Sequence, residues 1–129
     1  MDTKIKEKPD LLSPSVLAFV GDAVYGLYVR TALADTSRPS GELHKMSAAV
    51  VNAAAQAKAF SLIEPILSEK ELSVFKRGRN FHTSSTPKNA SNGDYHTATG
   101  LECLFGWLYL SGNKVRADEL FGMIWECMG

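Results

Sequence analysis

An all-α fold is what this 129-residue sequence predicts. Three observations predict it. Apolar residues recur at three- and four-residue spacing through each long apolar stretch. Helix-start signals stand at Ser13-Pro14 and again at Ser68, three residues before Glu71. No segment reads convincingly as a strand, and no internal repeat or long low-complexity tract interrupts the pattern.

Residues 1–12 read as a loose leader, and 13–129 as one domain of ordinary size. Ser13 as N-cap and Pro14 at the first helical position open a helix that carries Val16, Phe19, Val20, Ala23, Val24 and Leu27 to about Leu33. Residues 35–41, rich in Ser, Pro and Gly, form a turn. From 42 to 63 the chain is rich in alanine and free of Gly and Pro, which predicts one continuous helix ended by Pro65. Ser68 and Glu71 have capping-box form, so a short helix follows to about Arg77. Residues 78–94 hold Gly, Pro, Asn, Ser and Thr in quantity and read as an exposed, mobile loop. A helix from Tyr95 to Leu110 comes next, with Gly112 as its C-terminal cap. The last helix runs from Lys114 to Cys127 and carries Val115, Leu120, Met123, Ile124 and Trp125.

Composition narrows the function classes. Hydrophobic residues make up 45% and charged residues 22%, ordinary values for a soluble globular protein. No apolar run reaches the roughly 18 residues a membrane span needs, and the polar start has no signal-peptide core. The expectation is a cytoplasmic protein with no membrane partner. Formal net charge is +0, so the whole surface does not attract a polyanion. The stretch from Phe75 to Asn92 differs: it holds Lys76, Arg77, Arg79 and Lys88, with His82, Asn80 and Asn89, and no acid. It is either a solvated loop or a polyanion contact. The two cysteines, Cys103 and Cys127, lie in apolar helical patterns without metal-ligand spacing and read as free buried thiols. Trp107, Tyr109, Phe121 and Trp125 at helical spacing, with Met46 and Met123, read as packing residues of the core or of a dimer surface.

The chemistry concentrates on two acids. Asp22 and Glu102 each stand alone inside a strongly apolar helical run, where a carboxylate needs a hydrogen bond, an opposite charge or a metal ion. Same-face neighbours of Asp22 are Ala18, Phe19, Tyr25 and Gly26; those of Glu102 are Ala98, Thr99, Phe105 and Gly106. Small side chains let helices approach and leave room beside a carboxylate. Each acid could instead cap a helix or pair with a base such as Arg30. A metal reading points to magnesium, a hard cation that needs few carboxylates and keeps its waters; zinc fits poorly, since the histidines are not at ligand spacing.

The residues from Val20 to Gly26 (Val-Gly-Asp-Ala-Val-Tyr-Gly) resemble the signature helix of the ribonuclease III family. The run from Gly100 to Leu110 is similar to that family's second acidic helix, and Leu43 to Asn52 to its intervening helix. The pieces stand in the family's order and cover most of the chain. Glutamates that larger members carry before the signature aspartate are Ala18 and Ser15 here; an aspartate before the second glutamate is Thr99; a frequent glutamate after Asn52 is Ala53. With Arg-Gly-Arg-Asn at 77–80, Pro-Lys-Asn at 87–89 and an end at Gly129, the chain resembles a bacterial branch reduced to the catalytic domain, with no appended RNA-binding domain.

The resemblance implies a ribonuclease III-type helical endonuclease domain acting as a two-fold dimer. It implies hydrolysis of double-stranded RNA to 5′-phosphate and 3′-hydroxyl products. Asp22 and Glu102 would be catalytic and would hold Mg2+, with Mn2+ as a substitute, and Ser15 and Thr99 would serve as outer-shell partners. Lys76, Arg77, Arg79, Asn80, Lys88 and Asn89 in the basic stretch, with Lys45 on the second helix, would contact RNA. Maturation of precursor 23S ribosomal RNA, with a large-subunit ribosomal protein as partner, is the implied role. The reduced acid set also admits a non-catalytic double-stranded RNA-binding module. An all-α nucleotide pyrophosphatase would need clustered acids that this chain lacks.

Overall fold

The computed structural model describes residues 8–34, 37–81 and 92–128, and among these every regular element is helical. The helices are α1 (Pro14–Leu33), α2 (Ser40–Val50), α3 (Ala53–Ile63), α4 (Glu69–Arg79), α5 (Asn92–Leu110) and α6 (Lys114–Met128). Short 3-10 turns lie at Pro9–Leu11 and Glu64–Ile66. Helix α5 is the axis of the fold: α1, α3 and α4 pack around it, α6 bridges α3 and α5, and α2 leans on α1. Leu101, Cys103, Leu104, Phe105 and Leu108 of α5 are fully buried. Tyr25 and Phe105 meet edge to face at 5.3 Å, and Phe60 stacks on Phe75 at 3.6 Å. Each such side chain stabilises the fold by roughly 1.5–3 kcal/mol through removal from water.

Capping explains most boundaries. The Ser13 hydroxyl accepts from Val16 N at 3.2 Å, and the Ser68–Glu71 capping box is complete, at 3.1 and 2.8 Å. Gly112 has φ of +74°, the left-handed conformation that ends α5. Helix α4 runs two residues beyond Arg77, and α5 begins at Asn92, so the expected loop is shorter at both ends. Residues 82–91 of that loop lie outside the described residues.

The alanine-rich run is not one helix. It breaks at Val51–Asn52: Asn52 takes extended backbone, its side chain accepts from Ala55 N at 2.9 Å, and it donates to the Ala48 and Ala49 carbonyls. One asparagine thus closes α2 and opens α3, outweighing the alanine propensity around it.

Helix α1 corrects two further expectations. Its 20 residues, with mean hydropathy 1.4 in the richest window, are long and apolar enough to match a bilayer. It is nevertheless built into the body, with Leu17, Tyr25 and Val29 buried. The apolar spacing read in the sequence belongs only in part to the core: Val16 is 43%, Phe19 80% and Leu27 65% exposed. Cys103 is a free buried thiol, as expected, whereas Cys127 is exposed in the last turn of α6, past the buried face of Ala117, Leu120, Phe121 and Ile124.

Two polar anchors fix the periphery. Glu71, buried on α4, receives Arg116 Nε and Nη2 from α6 at 2.8 Å each, and Arg116 also reaches the Ile66 carbonyl at 2.8 Å. That fork holds Glu71 below the usual carboxylate range. At the other end Asp10 accepts from Trp107 Nε1 at 2.7 Å and Lys70 Nζ at 3.0 Å. Part of the stretch read as a loose leader is therefore tied to α4 and α5.

Candidate active site

The two acids come together where α1 crosses α5. A Cβ on Gly21 would overlap the Glu102 carbonyl oxygen, and one on Gly106 would overlap the Leu17 carbonyl. Glycine at both positions lets the two backbones touch. Asp22 follows Gly21 directly, so the crossing brings its carboxyl beside that of Glu102, where it acts on Glu102 as a hydrogen-bonding neighbour and a like charge. Asp22 is exposed and Glu102 partly buried, which makes the pair a site at the surface rather than a sealed core feature.

The electrostatics follow from burial and like charge. Burial first, then the neighbouring Asp22 carboxyl, push Glu102 up to about 8, while the Gln56 amide acts in the opposite direction. Burial and the Glu102 charge likewise raise Tyr25 to about 12. No ion pair among the described residues involves either acid; the pairs found there join Lys70 to Asp10, Lys114 to Asp118, and Arg116 to Glu71 and Glu119. Arg30, the base considered as a partner for Asp22, lies instead over Gly26, its Nη1 2.9 Å from where a Cβ would sit. Two neighbouring carboxyls with no ion-paired cation among the described residues form an arrangement that a divalent cation with several waters fits well. No cluster of three or more metal-ligand side chains occurs among the described residues, so a closed protein cage is not on offer.

The other residues singled out in the sequence fall in different places. Thr99 Oγ1 donates to the Tyr95 carbonyl at 2.9 Å, within its own helix. Ser15 is exposed on the first turn of α1, and Lys45 is exposed on α2. Gly78 packs against Gly100 and Cys103, which sets the last turn of α4 beside α5 within a turn of Glu102. That turn carries Lys76, Arg77 and Arg79, all exposed, with Asn80 as its C-cap. Arg77 spends donors on the Leu12 carbonyl at 2.9 Å and the Asp10 carbonyl at 3.5 Å, and the Arg79 guanidinium lies 5.7 Å from the Phe75 ring. Lys88 and Asn89 lie outside the described residues. Gln56 was not found from the sequence: it reaches Glu102 from α3, with Nε2 3.5 Å from Oε2.

The ribonuclease III domain model matches residues 15–113. A Mini-ribonuclease 3 of Thermoanaerobacter is 48% identical over 110 residues, covering 84% of this chain and 78% of the relative. Mini-ribonuclease 3 proteins of Clostridium tetani and Brevibacillus brevis are 40% and 44% identical, each over 91% of this chain and over 80% and 88% of their own lengths. A crystal structure of a Fusobacterium nucleatum protein superposes with a TM-score of 0.86 at 26% identity, over 96% of this chain and 100% of its own. The acidic crossing of α1 and α5 thus lies inside a domain shared along nearly its whole length with these proteins, and the chain belongs to the ribonuclease III family.

Proposed function

We propose that this chain is an endoribonuclease that hydrolyses phosphodiesters of double-stranded RNA at the Asp22–Glu102 pair, with a divalent cation, Mg2+ or Mn2+, as cofactor. The observation that carries the reading is the close crossing of α1 and α5, which sets the two acids side by side. When bound, the cation supplies Lewis acidity toward the phosphate and makes water a better nucleophile at neutral pH. The chain supplies the rest. Asp22 and Glu102 provide the negative charge that retains the ion, and Glu102 gives up its proton to do so. The exposed basic turn of α4, with Lys88 and Asn89 of the following segment and Lys45 of α2, would bind backbone phosphates and 2′-hydroxyls of an A-form duplex. Ser15 stands close enough in sequence to serve as an outer-shell group, and Thr99 keeps lone pairs free for the same role.

A two-fold dimer completes the proposal. One chain offers one acidic pair, whereas a duplex has two strands, and a dimer would place two sites across one groove. The exposed stripe of Val16, Phe19 and Leu27 runs along α1 beside Asp22. An unpartnered apolar face of this kind marks an association surface. Precursor 23S ribosomal RNA is the proposed substrate, in the cytoplasm, with a large-subunit ribosomal protein as a further partner.

Incubation of the protein with a synthetic RNA duplex tests the reading. Cleavage should require Mg2+ or Mn2+ and should fall steeply as salt rises, because phosphate contacts release counterions. Asp22→Asn should lower cleavage by about 10³-fold or more while duplex binding persists. Unchanged cleavage in that variant would remove Asp22 from the catalytic assignment, whereas a parent that binds the duplex without cutting it at any metal or salt concentration would be an RNA-binding module.

A further inference from the structure

We propose that Gln56 is a positioning residue of this site: its amide nitrogen holds the Glu102 carboxyl in the orientation that meets Asp22. The inference rests on reading the pair as a divalent-cation site.

Gln56 is only 4% exposed and lies on the buried face of α3 with Ala59, Phe60 and Ile63, the single polar side chain in that apolar row. A buried amide is costly unless its polar atoms are paired, so packing alone would favour an apolar residue there. Its Nε2 approaches Glu102 Oε2 at 3.5 Å, a long contact. An amide is well suited to the task, because it donates without adding charge. The backbone is arranged for the contact. Asn52 ends α2 and starts α3 afresh, and Gln56 stands one turn after this cap, on the face that α3 turns to α5. Groups that orient a metal's ligands commonly change affinity by 10–100-fold when removed.

The test is Mn2+ titration of the metal-free protein, with free Mn2+ read by electron paramagnetic resonance, beside melting temperature and steady-state cleavage of an RNA duplex. Gln56→Met, equal in length and without a donor, should fold with a melting temperature near the parent's. It should bind Mn2+ about tenfold or more weakly, and it should lose kcat with little change in KM for RNA. Gln56→Asn, which withdraws the donor by one methylene, should shift in the same direction. Variants that fold and bind Mn2+ as the parent does overturn the proposal alone. Failure of both variants to fold also overturns it, since Gln56 would then be a folding residue. A parent that takes up no Mn2+ overturns the reading of the site itself, and this inference with it.

Discussion

Asp22 and Glu102 are separated by 80 positions in the chain, yet the single property that made them visible was shared: each is an acid in an apolar run. Their pairing was legible because charge in such a setting demands a partner. Gln56 was not, because an uncharged amide among alanines leaves no comparable mark. The pair also fixes a pH dependence. Glu102 ordinarily titrates near 4.5 and is held at about 8 in the folded chain. Between those values the folded protein binds more protons than the unfolded chain. Stability of the metal-free protein should therefore fall as pH rises from about 4.5 to about 8. Asp22→Asn removes the like charge and should flatten that fall, leaving the part due to burial. Melting curves in chelator at several pH values check this; an unchanged slope in the variant would contradict it.

At the scale of the helices, the close crossing of α1 and α5 governs whether the acids can meet. Gly21→Ala would drive a methyl group into the Glu102 carbonyl, a backbone atom that cannot swing aside. Overpacking usually costs 1–3 kcal/mol, and here the cost should be about 3 kcal/mol or more in urea denaturation, with loss of cleavage in whatever remains folded. Asn52→Ala should cost about 1 kcal/mol through loss of the α3 cap. Most elements could be read from the sequence because their ends carry caps with recognised spacing, Ser13-Pro14 and Ser68-Glu71 above all. The α2–α3 break escaped because Asn52 has alanine, not Glu or Gln, three residues on, so the run looked like uninterrupted helix. Gly21 and Gly106 could be read as small residues, but not as backbone contacts, since a glycine's neighbour lies on another helix.

For the whole molecule, the exposed face of α1 explains why the sequence looked more completely buried than the fold is. Helical spacing reports an apolar face, not whether that face meets its own chain or another. With Phe19 80% exposed, the protein should be dimeric, and Phe19→Asp should yield a folded monomer with at least tenfold lower duplex cleavage. Light scattering after size-exclusion chromatography reads the mass, and a variant that stays dimeric would place the interface elsewhere. The central claim is that one divalent cation sits between the side chains of Asp22 and Glu102. An anomalous difference map from a crystal of the Mn2+-loaded protein tests it most directly. One peak is expected at the α1–α5 crossing, within coordination distance of both carboxyls. A Mn2+ peak bound elsewhere, with the two carboxyls turned apart, would contradict it.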